Sequence, residues 1–441
     1  MMIRGLKRGF KFNLLREAAP RIIFLHGGIG GSLAARKNTE AQQRKPSSHT
    51  GFMANRKKIA LCLEYPLALR GGVSVLVENL LGGLGEQYEM VLVSPDTAGE
   101  LEKSPLSRFI AKHFEWNPAA VSRSTSRQLA NRLAENKVDL AHFHFGGNFG
   151  WGNRFPGQCP VPYAAGLGIK TCSTVHLVVN ALDGFCGPQK PLWFKLGMLP
   201  VAWTGKMRVL GSLKSEIAVS QHDCGKLRRW YWPLRGRFRV IYHSRIRRDS
   251  RPAAMAREPM ILNVGHIARR KGQGLLAEAF AQIAPRHPDW KLWLVGHVAE
   301  ADEENRIRET ARRHGLEQRI VFAGQRDDAF SLMNRAGIYV QPSYAEALGL
   351  ALQEAMFCGC PSIGTRIGGI PELIEDGKTG LLVEAGQPDL LARALESLIA
   401  NPALRENYGR AAAASILERG MTLEQMLSNH VQLYESILGG Q

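Results

Sequence analysis

Residues 342–383 read PSYAEALGLALQEAMFCGCPSIGTRIGGIPELIEDGKTGLLV, and no other stretch constrains the fold as tightly. The pattern predicts a strand ending at Ser343, a short loop carrying Glu346, and a helix from near Leu348 to about Cys358, stopped by Gly359. Leu350, Leu352, Ala355 and Met356 give that helix one buried face, while Gly349 at its mouth leaves backbone N–H groups uncovered. A bare helix N-terminus attracts anions. Glu354 then lies about 8 to 9 Å along the axis, at about 1.5 Å per residue, which is about the reach from a diphosphate to the ribose behind it. Glu346, on the loop before the helix, falls on the other side of the phosphates, so two carboxylates bracket one anion site. The Glu-x7-Glu spacing alone fits an amphipathic helix with two surface glutamates. Its surroundings decide otherwise.

Taken whole, PS..E..GL...EA...G.P.I.T..GG.PE.I.DG.TGLLV resembles, nearly position for position, the donor-binding segment of family 4 glycosyltransferases. These are retaining enzymes of the α/β GT-B architecture, in which two Rossmann-like domains face each other across a cleft. The resemblance runs from Lys57 onward and is strongest in the C-terminal half. It implies that Glu354 holds the ribose, Glu346 a donor-sugar hydroxyl, and the helix mouth at Gly349 and Leu350 the diphosphate.

The rest of the chain fits that frame. A first strand over 59–63 leads into LALRGGVSVLVENLLGGLGE, where Arg70, Gly71 and Gly72 make a turn. Val73, Leu76, Val77, Leu80 and Leu81 then form a stripe of period 3.6. Strand, glycine turn and helix together let a backbone approach a phosphate closely, and the resemblance places Gly72 opposite the donor diphosphate. Further strands over 90–93, 139–143, 170–176, 216–220 and 238–242 alternate with helical patterns and predict a parallel sheet. His142 and His144 alternate on one of them and read as core or strand-end residues. His176 closes another, which by itself is a structural position. The resemblance makes it a residue of the cleft, near the reacting sugar.

In the second half, a strand over 260–264 precedes GHIARRKGQG. Lys271 resembles the family lysine that contacts the donor diphosphate. The residue after Gly265, commonly Arg in the family, is His266, and Arg269 or Arg270 is expected to substitute for it. A second departure stands at Tyr242, His243 and Ser244, where most members carry an Asn-Gly turn. The expected organisation is an extension over 1–52, an acceptor domain over 53–244, a linker over 245–259, a donor domain over 260–420, and a C-terminal helix over 421–441 that packs back on the first domain.

Composition settles less. The formal charge is +18, of which residues 1–52 supply +8 (ten Lys or Arg against Glu17 and Glu40), leaving +10 for the remainder. Such a balance suits anionic substrates or an anionic surface. The first 52 residues are polar and glycine-rich and lack a core pattern. They read as an extension upstream of a natural start at Met53, with an Arg-rich targeting segment as the rival. Seven cysteines without a CxxC pair point to reduced thiols and a cytoplasmic protein. Residues 184–210 interleave Trp193, Phe194, Met198, Leu199 and Trp203 with Lys190, Lys195, Lys206 and Arg208. That mixture suits either a helix packed on the core with snorkelling lysines, the preferred reading, or an anionic membrane interface that would make the protein peripheral on the inner face of the membrane.

The reading adopted is transfer of a sugar, with retention, from a nucleotide sugar to a glycan, lipid-linked or small-molecule acceptor. His176, Glu346 and Lys271 stand at the chemistry. Gly72, Arg269, Arg270, Lys271, Gly349, Leu350 and Glu354 hold the donor. No required metal or other cofactor is expected, because no Asp-x-Asp motif stands at a strand end, and no nucleic-acid partner is expected. The alternatives are an epimerase or phosphorylase on the same architecture, or a basic surface-binding protein that has kept the fold and lost transfer.

Overall fold

A computed structural model of the protein describes residues 56–440, apart from 68–70, 148, 154, 180–189 and 254. The expected extension over 1–52 lies outside the described residues. Strands such as KIALCL and EMVLVS bury five consecutive residues each, the mark of a parallel sheet covered on both faces. β1 (Lys58–Leu63), β2 (Glu89–Ser94), β3 (Lys112–Glu115), β4 (Leu140–Phe145), β5 (Lys170–Val175), β6 (Ser215–Ala218) and β7 (Phe238–Val240) form one parallel sheet, in the order β3-β2-β1-β4-β5-β6-β7. Its helices are α1 (Gly72–Leu84), α2 (Ala98–Glu102), α3 (Arg123–Glu135), α4 (Val161–Gly166), α5 (Leu192–Ser212) and α6 (Gln221–Trp230).

The second sheet holds β8 (Glu258–Val264), β9 (Lys291–Val295), β10 (Ile320–Gly324), β11 (Ala336–Gln341), β12 (Ser362–Thr365) and β13 (Leu381–Val383), ordered β10-β9-β8-β11-β12-β13 and again parallel. Around it pack α7 (Gln273–Ile283), α8 (Ala301–Arg313), α9 (Ala329–Arg335), α10 (Leu350–Phe357), α11 (Ile370–Leu373), α12 (Pro388–Ala400) and α13 (Pro402–Glu418). In both sheets the order reverses between the first strand and the fourth, β1 beside β4 and β8 beside β11. Such reversals leave a crevice at the strand C-termini where ligands bind. The loops leaving β1, β8 and β11 carry Gly72, Lys271 and Glu346.

The last helix, α14 (Leu423–Gly439), returns to the first domain. Its Met426, Tyr434 and Ile437 are buried in one core with Leu61, Leu76 and Met90. The two stretches of chain that pass between domains are stitched together. Ser244 Oγ donates to the Met421 carbonyl at 2.9 Å, and Leu423 N donates to the Ile246 carbonyl at 2.7 Å.

Helix α5 departs from the packed reading. Its buried residues are Ala202, Gly205, Lys206, Val209 and Leu210, all after the internal Pro200. Before that proline only Phe194, Lys195 and Met198 are half-buried, Met198 against Phe149 and Ala202. Leu192, Trp193, Leu196 and Leu199 are exposed, Trp193 by 74%. The buried half is anchored by Lys206, whose Nζ meets Glu216 Oε2 at 2.6 Å with both side chains fully buried. Glu216 also accepts from Ser173 Oγ at 3.0 Å, and the ammonium sits 4.9 Å from the centre of the Phe145 ring.

Candidate active site

A cavity of about 350 Å³ opens between the two sheets at their strand C-termini. Two helices present their N-termini to it. Gly71 caps α1 and Gly349 caps α10, and neither end has a side-chain cap. A Cβ on Gly72 would lie 3.7 Å from Leu350 Cδ1, so the two helix mouths face each other across the cavity. Gly349 has φ of +98°, a left-handed conformation that turns the chain sharply from the Glu346 loop into the helix and that a side chain would strain. The partial positive charge of each helix end is therefore aimed at the same space.

Charged side chains complete the walls. Lys271 Nζ meets Glu346 Oε2 at 2.6 Å, and Gln341 and Ser343 each reach the same oxygen at 3.3 Å. Burial pushes the Glu346 carboxyl up, but Lys271, Arg270 and the Ser343 hydroxyl outweigh it and hold the group below the usual carboxylate range. Across the cavity, Arg245 grips Glu354 with two parallel bonds, Nε to Oε1 and Nη2 to Oε2, the latter at 2.8 Å. There burial prevails, and the Glu354 carboxyl is raised in spite of Arg245. His266 is pushed down to about 4 by burial, by His297 and by Lys271 and Arg270, so it is neutral near pH 7 and the cations of this wall are Arg270 and Lys271.

The Glu346 loop is fixed from behind by the IGGIPE turn. Gly368 has φ of +57°, and a Cβ on it would overlap the Glu346 carbonyl oxygen. Thr365 Oγ1 donates to the Ser343 carbonyl at 2.7 Å. Two residues into α11, Glu372 reaches the first domain. It accepts from the backbone N–H groups of Gln221 and His222 at 2.8 and 2.7 Å, and from Tyr242 OH at 2.9 Å. The same short segment thus sets the Glu346 loop and caps α6 of the opposite domain.

The first-domain wall is built of histidines. His176 and His243 line the cavity, with ring centroids 5.2 Å apart. His176 Nε2 lies 3.2 Å from His144 Nδ1. His144 packs on His142 at 4.2 Å, and His142 on His430 of α14 at 6.0 Å. His142 is satisfied by Tyr434 OH at 2.7 Å and Thr174 Oγ1 at 2.8 Å. A buried file of imidazoles therefore runs from the C-terminal helix to the cavity. Burial, reinforced by neighbouring histidines, holds His142, His144, His176 and His243 well below the ordinary range, and burial holds His430 down to about 4.

The structure brings His176, Lys271, Glu346, Gly72, Arg270, Gly349, Leu350 and Glu354 around one cavity. Arg269 is not among its lining residues; its side chain is exposed, and its backbone N–H donates to Glu300 at 3.1 Å. Sequence reasoning missed Arg245, placed in the linker, and His243, noted only as a departure. Their position directly after β7, where the family turn is absent, was the available signal. Among the described residues no three His, Cys, Asp or Glu side chains gather as metal ligands.

Comparison with known proteins agrees with this geometry. Residues 70–244 match the family described as Glycosyltransferase Family 4, and residues 246–415 match Glycosyl transferases group 1. N-acetyl-alpha-D-glucosaminyl L-malate synthase of Bacillus anthracis is 33% identical over 181 residues, 41% of this chain and 46% of that protein. The lipopolysaccharide core biosynthesis mannosyltransferase LpcC of Rhizobium leguminosarum bv. viciae is 32% identical over 180 residues, 40% and 50% of the two chains. The chain thus spans about half the length of the curated relatives it matches. A glycosyltransferase from Rickettsia africae superposes with a TM-score of 0.68 at 20% identity, over 88% of this chain and 100% of that one. Anabaena Alr3699/HepE, solved in complex with UDP and glucose, does so with a TM-score of 0.64 at 19% identity, over 87% and 100%. At such identities the solved structures speak for the fold alone, two Rossmann-like domains in the GT-B arrangement.

Proposed function

Because the chain belongs to the family 4 glycosyltransferases, we propose that it moves a hexosyl group from a nucleotide diphosphate sugar to an acceptor hydroxyl, with retention at the anomeric carbon. One observation carries the reading: two uncapped helix N-termini, Arg270 and Lys271 converge on a cavity whose opposite ends hold Glu346 and Glu354. That is a seat for a diphosphate with a hydroxyl-bearing group on either side. The bond from the anomeric carbon to the diphosphate breaks, the acceptor oxygen bonds to that carbon on the same face, and the acceptor proton passes to the departing phosphate oxygen. Lys271, Arg270 and the helix ends offset the charge that grows on the leaving group. Lys271, which meets Glu346 at 2.6 Å, approaches the diphosphate as Glu346 turns to the sugar. His176, neutral near pH 7, stands on the acceptor side. Transfer is expected to survive EDTA.

The acceptor is a hydroxyl of a glycan, a lipid-linked glycan or a small molecule, and relatives named for lipopolysaccharide core synthesis favour the first two. The exposed half of α5 supports work at an anionic membrane surface. Leu192, Trp193, Leu196 and Leu199 are exposed there, and Trp232, 69% exposed, follows the α6 helix whose Trp230 carbonyl accepts from Trp203 Nε1 at 3.1 Å. Residues 190–214 contain no acidic residue, and Lys190, Lys195, Arg208 and Lys214 are their cations besides the buried Lys206. Aromatics at headgroup depth with cations beside them bind anionic lipid. Among the described residues no helix is long and apolar enough to cross a membrane.

Thermal shift against a panel of nucleotide sugars, followed by nucleotide release with and without candidate acceptors, tests the activity. Stabilisation by one nucleotide diphosphate and acceptor-dependent release are the expected outcomes; no shift with any of them would overturn the reading. For the surface, sedimentation with phosphatidylglycerol vesicles should fall with salt and fall further in Trp193→Ala/Trp203→Ala. Equal partitioning of both proteins would remove the patch from the proposal.

A further inference from the structure

The structure assigns a function to Arg245 that rests on the donor reading above: it is the positioning residue of the ribose carboxylate, holding Glu354 in one orientation and in its ionised form. Three observations carry this. The guanidinium meets Glu354 side-on, through Nε and Nη2, so that each donor takes one carboxylate oxygen. This planar fork fixes the carboxylate's rotation in a way that a single ammonium cannot. A carboxylate offers about four acceptor positions, so the pair leaves lone pairs on both oxygens for ribose hydroxyls.

The second observation is where Arg245 is mounted. Its neighbours Ser244 and Ile246 are bonded to Met421 and Leu423 at the point where both interdomain stretches meet, and Asn79 Nδ2 reaches the Ser244 carbonyl at 3.4 Å. Glu354, by contrast, belongs to α10 of the donor domain. The contact therefore spans from the crossing of the chain to the nucleotide site, and it replaces the turn that the family carries after β7.

The third is the cost of removing it. The Glu354 side chain is only 4% exposed, and the other titratable groups that face it, Tyr339 and Cys358, carry no positive charge near pH 7. Arg245 itself faces Glu78 as well as Glu354. Burial already raises the Glu354 carboxyl, and Arg245 is the group that opposes the rise. Without it the carboxyl takes up a proton at higher pH, and a neutral acid is a weaker acceptor for a hydroxyl than a carboxylate.

Calorimetric titration of the full chain with UDP, GDP and ADP, carrying the tightest binder forward, tests the assignment at pH 6, 7 and 8. Wild type is expected to bind with little change across this range. Arg245→Ala should lose about tenfold in affinity at pH 6, the loss of a charge-assisted bond, and recover part of it by pH 8; Arg245→Lys should fall between the two. Glu354→Gln, neutral at every pH, should be weak and flat, and Arg245→Ala/Glu354→Gln should bind no more weakly than Glu354→Gln alone. Equal or tighter binding by Arg245→Ala would make the arginine a competitor for the ribose carboxylate and overturn the assignment. So would a double variant weaker than Glu354→Gln by the full Arg245→Ala factor, since the arginine would then act on the nucleotide directly. If Glu354→Gln binds as wild type does, the ribose role of Glu354 fails and the role of Arg245 fails with it. A weak Glu354→Gln beside an unimpaired Arg245→Ala sinks only the latter. Melting temperatures of each variant identify any that have lost the fold.

Discussion

Mild acid should unfold this protein through its file of histidines. In the native state burial holds His430 at about 4 and the other four, His142, His144, His176 and His243, well below the ordinary range. In the unfolded chain each returns to about 6.5. The folded value is the lower one, so below about pH 6.5 the unfolded chain binds more protons and stability falls as pH falls. The loss levels off only near the folded values. At pH 7.5 the unfolded imidazole contributes less than about 0.1 kcal/mol each to unfolding, and at pH 5.5 about 1.4 kcal/mol. His430 alone therefore loses about 1.4 kcal/mol between the two pH values, and His142, His144, His176 and His243, lowered well below the ordinary range, act in the same direction. Asp223, which burial raises to about 6, acts in the opposite sense and returns about 0.8 kcal/mol. The four further histidines take the net loss above about 1 kcal/mol, a large share of a marginal stability. Urea unfolding at pH 7.5 and 5.5, at equal ionic strength, measures it, with His430→Phe reducing the pH-dependent part by about 1.4 kcal/mol. Unfolding free energies that agree within about 1 kcal/mol at the two pH values would show that the histidines do not stay neutral in the fold.

Four further outcomes are expected. Glu354→Ala should weaken free nucleotide as well as nucleotide sugar by about 1.5 to 3 kcal/mol, while Glu346→Ala should spare nucleotide affinity and reduce transfer; equal losses of affinity by calorimetry would reverse the donor's orientation. Gly368→Ala should cut turnover more than it lowers the melting temperature, because the Glu346 carbonyl must move aside; unchanged turnover would refute this. Lys206→Ala should cost about 3 to 5 kcal/mol by leaving Glu216 buried and unpaired, whereas Lys206→Met/Glu216→Leu should come close to wild type, a difference chemical denaturation resolves. A chain starting at Met53 should melt and turn over as the full chain does, and a large drop in melting temperature would assign the first 52 residues a packing role.

Local signals were the legible ones. The β11–α10 segment could be read because its glycines, glutamates and apolar stripe act within a few residues of one another. β1, β4, β5 and β8 stood out as buried runs. What escaped depends on contacts between distant parts of the chain. Arg245 and Glu354 are 109 residues apart, and an arginine in a stretch rich in arginines gives no sign of which one turns inward. His243 was visible only as a missing turn. Strand β3, with only Phe114 buried among its four residues, has no apolar run to announce it at the sheet edge. In α5 the stretches before and after Pro200 are alike in composition, and which of them is buried depends on partners distant in sequence, such as Ser173 and Phe145 around the Lys206–Glu216 pair.

Helix α14 has a consequence for how the molecule is made. Its Met426, Tyr434 and Ile437 finish a core whose strands lie in the first half of the chain, and its His430 and Tyr434 pack on His142. The second domain is therefore an insertion within the first domain. During synthesis the first sheet emerges early but stays unfinished until α14 has left the ribosome. The second domain, whose elements run from Glu258 to Glu418 without interruption, can close beforehand. Domains completed by their own contiguous sequence fold as they appear, so the order of folding expected here is the reverse of the order of translation.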